Sequence, residues 1–379
     1  MPTRNRAATL QRSIEAVASL AGHRADARDA ARVEAEVIVI DNASDEPVRL
    51  PRHVRTLPVR VIRLDTNEGA ASRNIGVREA RYDWIVMLDD DSYPVDTGFA
   101  HRLRTMPDDV AAVSADIWLP GLGERERGGL PEVFVGCGVA IRRRDFLKAG
   151  GYDKGFEYYV EEYDLAARFL MAGKRVEFDP WFRVEHHKVT HNRDMNRILR
   201  LLTRNNGWVA SRYAPRDAMP LEMREIRDRY RAIARRERAL AGYAQGLLEL
   251  KHTRRAQARS PMDTPTWARF TGLSYARAAI GAAHARFGFR RACVAAPGKN
   301  ELVVRRVLSE LGVEVTMCRE SADAIVIGTM SPGPMLDAHE RLTQDGSRGG
   351  VPVVAPWERV ERGYEKTPLV PPCVASRAG

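Results

Sequence analysis

The sequence predicts an α/β fold whose N-terminal half holds a mainly parallel sheet. Strand-like and helix-like stretches alternate over residues 1–192, and such alternation is typical of βαβ units. A chain of 379 residues is long enough for two or three domains. The hydrophobic fraction of 44% and the charged fraction of 29% are those of a globular protein. These values exclude a mostly disordered or fibrous chain.

The charge is unevenly distributed along the chain. The net charge is +10, but residues 193–291 alone carry +14, which leaves −4 for the rest. This contrast predicts an α/β domain over residues 1–192 and a basic helical segment over 193–291. A small α/β unit over 292–360 and a tail over 361–379 complete the predicted division.

The N-terminal elements follow from hydrophobic patterning. Residues 7–20 and 71–80 have apolar positions at helical spacing, whereas residues 36–41, 59–64 and 83–88 are apolar runs typical of buried strands. In open parallel sheets, ligands bind beyond the carboxyl ends of the strands. Asp41 and the cluster Asp89–Asp91 fall at such ends.

The rest of the chain changes character twice. Residues 193–291 predict several amphipathic helices that are interrupted near four prolines, namely Pro215, Pro220, Pro261 and Pro265. Residues 292–357 return to short apolar strands, with predicted helices over 301–311 and near 335–342.

Neither the cysteines nor the hydropathy indicate an exported or membrane-spanning protein. Four cysteines, Cys137, Cys293, Cys318 and Cys373, form no C-x-x-C spacing, so we expect reduced thiols. No stretch approaches the roughly 18 apolar residues of a spanning helix, and the N-terminus has no apolar signal core. We therefore expect a cytoplasmic protein, which can still lie on a membrane surface.

Three adjacent carboxylates end the strand predicted over residues 83–88. Asp89, Asp90 and Asp91 repel one another, and a hard divalent cation such as Mg²⁺ or Mn²⁺ would offset that repulsion. In an extended chain, Asp89 and Asp91 point to one side and Asp90 to the other. The sequence favours a metal site over a polar strand cap because the preceding strand is apolar.

A second acidic group comprises Glu161, Glu162 and Asp164. It begins a predicted helix, where negative charge complements the helix dipole. The alternative is a general base at the mouth of a cleft. The spacing alone leaves both interpretations open.

Histidines cluster at His186, His187 and His191. His187 and His191 have the spacing of a zinc pair on a helix, but no H-E-x-x-H motif is present. One histidine that completes the aspartate site is the more economical interpretation, and a solvated histidine is the alternative.

Five motifs occur in a fixed order along the first half of the chain. They are PTRNRAATLQRSIEAV, VIVIDNASDEP, NEGAASRNIGVREARYDWIVMLDDDSYP, VGCGVAIRRRDFLKAGGYDKGF and VEEYDLAARFLMAGKRVEFDPWFRVEHH. Together they resemble the family-two glycosyltransferases, inverting enzymes of the GT-A fold, over roughly residues 1–210.

The resemblance implies roles for individual residues. It implies a catalytic base at Glu162, beside Glu161, and acceptor-side positions at Gly138 and Asp164. It implies a divalent cation, Mn²⁺ or Mg²⁺, held by Asp91 and Asp89 with His186, and with His187 as the second choice. The implied nucleotide-sugar site comprises Thr3, Arg6, Asp41, Arg73, Asn74 and Asp89.

The sequence departs from the family pattern in two places. The family usually has an apolar strand before P-T-x-N-R, so a first strand would be missing or the sheet open there. Glu162 also stands where the family usually has aspartate. These departures keep a second interpretation open, a degenerate scaffold that binds a sugar nucleotide without transferring the sugar.

The resemblance implies transfer of a hexosyl or deoxyhexosyl group, with inversion, from a nucleotide-diphosphate sugar to an acceptor hydroxyl. The implied acceptor is a glycan or lipid-linked molecule of surface polysaccharide or glycolipid synthesis. A haloacid-dehalogenase-type phosphohydrolase is disfavoured because Ser92 and Tyr93, rather than Gly-Thr, follow Asp91.

The basic segment over 193–291 suits the anionic inner face of the cell membrane. A packed helical extension with a solvated basic face is the equal alternative. No nucleic acid is expected as a partner, because interleaved aromatics and nucleic-acid motifs are missing from the segment.

Overall fold

The computed structural model describes residues 1–20, 34–188, 193–346 and 350–358. The strands are β1 (Pro2–Thr3), β2 (Val37–Asp41), β3 (His53–Val54), β4 (Leu57–Arg63), β5 (Trp84–Met87), β6 (Ser92–Pro94), β7 (Val110–Leu119), β8 (Glu124–Arg125), β9 (Val139–Arg142), β10 (Arg175–His186), β11 (Arg291–Ala295), β12 (Glu314–Thr316), β13 (Ala324–Ile327) and β14 (Val353–Val354). The helices are α1 (Ala7–Leu20), α2 (Arg73–Glu79), α3 (Gly98–Arg104), α4 (Arg143–Lys148), α5 (Glu161–Met171), α6 (Met195–Tyr213), α7 (Met219–Arg236), α8 (Leu240–Thr253), α9 (Thr264–Thr271), α10 (Leu273–Phe287), α11 (Glu301–Glu310) and α12 (Pro332–Gly346).

Two of the three sheets have mainly parallel pairing, as predicted. The first has the order β1-β2-β4-β3, in which β1, β2 and β4 run parallel. The third has the order β12-β11-β13-β14 and is parallel throughout. Helix α1 contributes Leu10, Ile14 and Ala18, which are one turn apart and buried with apolar residues of β2 and β4. The α/β fold class is confirmed.

The central sheet differs from the prediction. Its order is β5-β9-β7-β10-β6, with β8 paired to β7, and only β7 and β10 run parallel. Antiparallel neighbours need no crossover connection and can follow one another after a tight turn. Strand β8 follows β7 in this way. The apolar run over 83–88 predicted β5, but the sequence patterning indicated neither the other strands of this sheet nor these chain reversals.

Prolines limit the helices of the basic segment, as predicted. Helix α6 ends at Tyr213, two residues before Pro215. Helices α7 and α9 each carry a proline in their first turn, at Pro220 and Pro265. The first backbone N–H groups of a helix have no acceptor within the helix, so a proline in the first turn costs no hydrogen bond.

The first strand is short, and the first two sheets are not joined. Strand β1 has two residues and pairs with β2, with Thr3 opposite Asp41. An apolar groove of about 510 Å³ lies between the first sheet and β5, lined by Ile38, Ile40 and Val86 among others. Among the described residues the sheet is therefore open at this position, which is one of the two alternatives that the sequence left.

One hydrophobic core includes side chains from the first three of the four predicted parts of the chain. Phe169 of α5, Trp208 of α6 and Val307 of α11 belong to the same buried cluster. The division at residues 192, 291 and 360 remains a prediction. Of the helices in the described ranges, none is both long and apolar enough to cross a bilayer.

Candidate functional site

The aspartate cluster lies where three strands of the central sheet approach one another. Asp89, Asp90 and Asp91 form the connection between β5 and β6, and β6 pairs with β10 so that Ser92 lies opposite His186. The Ser92 hydroxyl donates to the Cys137 carbonyl at 2.9 Å. This register places the histidine at the end of β10 beside the aspartates.

His186 is held between two carboxylates. Its Nδ1 lies 2.9 Å from Glu126 Oε2, and its Nε2 lies 3.2 Å from Asp91 Oδ1. Lys188 donates to both oxygens of Glu126, at 2.7 and 3.0 Å. A carboxylate on one imidazole nitrogen fixes the ring and leaves the other nitrogen for a metal. The sequence analysis did not identify Glu126.

These contacts shift the pKa values of the cluster. Burial disfavours the charged imidazolium, but the contacts with Asp91, Cys137 and Glu126 outweigh it and raise the pKa of His186 to about 12. Burial likewise disfavours the carboxylate of Glu126, yet His186 and Lys188 lower its pKa to about 2. The pKa of Asp91 is also lowered, because contacts with His186 and Arg6 outweigh its burial. His186 is therefore protonated in this arrangement, and a bound cation would replace that proton.

The donor set fits a divalent cation. Ligand atoms of Asp89, Cys137 and His186 lie within 4.8 Å of one another. Asp91 Oδ1 is buried and accepts no well-aligned hydrogen bond within the described residues. Two carboxylates and one imidazole suit Mn²⁺ or Mg²⁺, whereas a thiol suits softer metals. Burial raises the pKa of Cys137 to about 11, which keeps that thiol protonated.

His187 lies outside this cluster. Its Nε2 is 2.7 Å from the Tyr93 hydroxyl and 3.1 Å from Glu185 Oε2, and its side chain is half-exposed. The next residue along an extended strand points to the opposite side, so His186 and His187 have different neighbours. His191 lies outside the described residues.

Two arginines and a threonine surround the aspartates. Arg6 forms ion pairs with Asp90 at 2.7 Å and with Asp91 at 2.6 Å. The Thr3 hydroxyl donates to Asp90 at 2.7 Å. Asp90 and Asp91 thus share one arginine, because this connection is a turn rather than the extended chain assumed from the sequence.

Arg73 connects the aspartates with the acidic helix. It is buried and pairs with Asp89, while its Nε has no hydrogen-bond partner among the described atoms. The same guanidinium acts electrostatically on Glu161 and Glu162. A guanidinium at this place could bind a diphosphate.

Two other residues of the predicted nucleotide-sugar site already have structural contacts. The fully buried Asp41 accepts hydrogen bonds from the backbone of Ser44 and Val48 and from Arg63. Asn74 exchanges hydrogen bonds with the backbone of Tyr152, at 2.8 Å in each direction. These contacts fix the segment that follows β2 and the backbone at Tyr152. A role of Asp41 and Asn74 in nucleotide binding remains a prediction.

The start of α5 presents two glutamates in different surroundings. Glu161 is buried, and its Oε2 has no hydrogen-bond partner among the described atoms. Glu162 is partly exposed, and its Oε1 accepts from the Gly136 backbone at 3.3 Å. Burial raises the pKa of both carboxyls, and mutual repulsion raises that of Glu161 further. A partly exposed carboxylate with a raised pKa is suited to accept a proton.

The loop before α5 has a strained backbone. Glu157, Tyr159 and Val160 adopt φ values of 62°, 67° and 75°, and positive φ is unfavourable for a β-branched residue such as Val160. Asn205 of α6 donates to the carbonyls of Phe156, Tyr158 and Tyr159 at 2.8–3.0 Å. Helix α6 thereby fixes the position at which α5 begins.

Both predicted acceptor-side residues have structural contacts. Asp164 is buried and accepts from Arg168, Arg212 and the Tyr213 hydroxyl. A Cβ at Gly138 would lie 2.7 Å from the side chain of Ile117, so this glycine permits core packing. The geometry favours structural roles for both, and Gly136 is the glycine beside Glu162.

The C-terminal unit contributes a lysine that the sequence analysis did not identify. Lys299 precedes α11, and its Nζ lies 3.9 Å from the ring centre of Tyr163 and bonds the Tyr163 hydroxyl. Burial and the nearby Arg229 lower the pKa of Lys299 to about 7, against the opposing effect of Glu162. The lysine thus acts electrostatically on the candidate base.

Comparison with known proteins identifies the N-terminal region. Residues 1–161 match the model of glycosyl transferase family 2. This region is similar to that family. The resemblance predicted from the five motifs is therefore confirmed over this range.

Two curated relatives match part of this chain. An uncharacterized glycosyltransferase of Haemophilus influenzae is 30% identical over 165 residues, covering 36% of this chain and 52% of the relative. Succinoglycan biosynthesis protein ExoO of Rhizobium meliloti is 35% identical over 232 residues, covering 52% of this chain and 61% of the relative. The chain therefore spans just over half the length of these relatives.

The solved structures that are similar include a mannosyltransferase from Pyrobaculum calidifontis in complex with GDP-Man and Mn²⁺. The TM-score is 0.43 at 17% identity, with 76% of this chain and 79% of the other covered.

Proposed function

We propose that this protein is a metal-dependent, inverting glycosyltransferase that uses a nucleotide-diphosphate sugar. The observation that carries the proposal is the convergence of Asp89, Asp91 and His186 at the strand ends, in a region that is similar to family 2. Arg73 connects this cluster with the glutamates at the start of α5. Hexosyl and deoxyhexosyl donors are the proposed class.

The proposed chemistry uses the residues in two groups. Asp89, Asp91 and His186 would hold Mn²⁺ or Mg²⁺, and the cation would offset the charge that develops on the leaving diphosphate. Glu162 accepts the proton of the acceptor hydroxyl while the hydroxyl oxygen attacks the anomeric carbon of the donor sugar. The bond from that carbon to the diphosphate breaks on the opposite face, which inverts the configuration. Arg73 stabilises the diphosphate.

The proposed acceptor is a glycan or lipid-linked molecule of surface polysaccharide or glycolipid synthesis. The similarity to a succinoglycan biosynthesis protein supports this class. A position on the inner face of the membrane is part of the same proposal, because α7 exposes Arg224, Arg227, Arg231 and Arg235. Such a surface attracts anionic lipids.

The first experiment measures thermal stabilisation by nucleotide sugars with and without Mn²⁺, followed by transfer with the donor that stabilises. Glu162→Gln should lower kcat by about 10²–10⁴-fold, since it removes the proton acceptor. Its melting temperature should not fall, because burial disfavours the charged form of Glu162. The control is Glu314→Gln at an exposed position of β12.

Asp91→Asn tests the cation site in the same assay. Loss of Mn²⁺-dependent transfer is expected, and full activity in this variant would contradict the metal role. Stabilisation by a nucleotide sugar without transfer to any acceptor would instead favour the scaffold.

A further inference from the structure

The segment that carries Glu126 is bonded on both sides to the C-terminal unit. The backbone N–H of Arg125 donates to Asp337 at 2.9 Å, and its guanidinium pairs with Asp337 at 2.7 Å and Glu340 at 2.8 Å. Three residues after Arg125, the Gly128 N–H donates to the Ser331 hydroxyl at 3.1 Å. Glu126 thus lies between two contacts with residues that are more than 200 positions away in the sequence.

The first turn of α12 also packs directly on the backbone beside Glu126. A Cβ at Gly333 would lie 2.5 Å from the Glu126 carbonyl oxygen and 2.8 Å from Arg125 Cβ. Gly333 has no left-handed φ, so the close approach alone accounts for the glycine. One methyl group at this place would push the chain at residues 125–126 away from α12.

Glu126 in turn determines the orientation of His186. The Glu126 carboxylate is buried and lies 2.9 Å from Nδ1, while Nε2 points toward Asp91. Because the two nitrogens belong to one rigid ring, a shift at Nδ1 moves Nε2. Residues that support a metal-binding histidine in this way commonly change metal affinity by about 10–100-fold when they are replaced.

We propose that the C-terminal α/β unit positions Glu126, and through it His186, and thereby sets the affinity of the candidate site for a divalent cation. Gly333 and Asp337 of α12 and Arg125 are positioning residues. The inference rests on the proposed metal-dependent function. It gives residues 292–358 a role in the site.

The test measures Mn²⁺ binding by the full chain, from the electron paramagnetic resonance signal of free Mn²⁺. Gly333→Ala should weaken binding by about tenfold or more. The matched control is Gly281→Ala, because a Cβ at Gly281 of α10 meets no atom within 4 Å. The control should bind Mn²⁺ like the unchanged protein.

Two further variants separate positioning from loss of folding. Asp337→Asn leaves the backbone of α12 intact and weakens the ion pair with Arg125, so weaker binding is expected here too. Glu126→Gln should weaken binding by itself. In the Glu126→Gln background, Gly333→Ala should add little, because both changes act through the same contact.

The outcomes distinguish the inference from the proposed function. The inference is overturned if Asp337→Asn and folded Gly333→Ala both bind Mn²⁺ as tightly as the unchanged protein. In that case the proposed function still stands. Full additivity of Gly333→Ala and Glu126→Gln would also overturn the inference. If the unchanged protein does not bind Mn²⁺, the proposed metal site is wrong, and the inference with it.

Discussion

Glu161 and Glu162 are neighbours in sequence, but the start of α5 gives them different chemistry. The buried Glu161 faces the charge of Glu162 at close range, and Arg73 offsets the repulsion only in part. Two carboxyls that interact this strongly titrate as a pair. The more exposed Glu162 also has Lys299 nearby, and this cation opposes the rise in its pKa, so Glu162 is the better placed of the two to act as the base.

Lys299→Met should shift the pH dependence of transfer. A cation lowers the pKa of a nearby carboxyl, so removing Lys299 raises the pKa of Glu162. The acidic limb of the kcat/KM profile should move to higher pH, with a several-fold loss that is largest below pH 7. The effect fades above that pH, because the pKa of Lys299 itself is about 7.

Two controls accompany the Lys299→Met profile. Lys299→Arg keeps the charge and should keep the acidic limb in place. Lys251→Met, at an exposed position of α8, should leave the profile unchanged. An unshifted limb in Lys299→Met would show that the lysine does not act on Glu162.

The sequence predicted the candidate metal ligands Asp89 and Asp91 because they follow a strand with a clear pattern, and the resemblance to the family added His186. It missed Glu126 and Lys299 because neither belongs to a recognisable motif. Glu126 follows the two-residue strand β8, and Lys299 comes from a unit more than 100 residues beyond the family 2 region. Only the tertiary fold brings Glu126 to His186 and Lys299 to the start of α5.

At the scale of elements, the basic segment holds part of the candidate site. Helix α6 lies beside the loop that precedes α5, where Arg204 donates to the Gly155 and Phe156 carbonyls and Asn205 binds three carbonyls. Patterning predicted the helices, but an arginine-rich helix gives no signal of which loop it will contact. The strained backbone at Val160 persists because α6 holds it.

Asp164→Ala tests the connection between α5 and α6. The carboxylate, 1% exposed, accepts from Arg168 at 2.6 Å and from Arg212 and Tyr213 at 2.7 Å each. Its removal takes a buried carboxylate away from two partly buried guanidinium groups, of which Arg212 keeps its pair with Asp153, so the free energy of unfolding should fall by about 3 kcal/mol. Urea unfolding of the full chain measures this.

A milder variant provides the comparison for Asp164→Ala. Tyr213→Phe removes one hydrogen bond and should cost about 1 kcal/mol. If Asp164→Ala keeps full stability but raises the KM for the acceptor, the acceptor-side role predicted from the sequence is correct and the structural interpretation is not.

At the scale of the whole molecule, the arginines behind the net charge of +10 have two different uses. Some arginines of the basic segment are used inside the fold: Arg212 pairs with Asp153 and Asp164, and Arg269 pairs with Glu132. Helix α7 exposes Arg224, Arg227, Arg231 and Arg235 among the arginines that remain. The sequence located the excess charge correctly, but it could not separate arginines that stabilise the fold from arginines that face solvent.

The exposed face of α7 should bind anionic vesicles at low salt. Each arginine near an anionic surface contributes about 1 kcal/mol, so Arg227→Gln with Arg231→Gln should lower vesicle partitioning by roughly tenfold or more. Arg49→Gln with Arg52→Gln changes the net charge equally at exposed positions of the N-terminal region and should have little effect. Flotation with vesicles of neutral and anionic lipid, at low and high salt, measures this. If the protein does not bind anionic vesicles at low salt, the proposed position on the membrane is wrong. The proposed transfer to a glycan acceptor is not affected by that result.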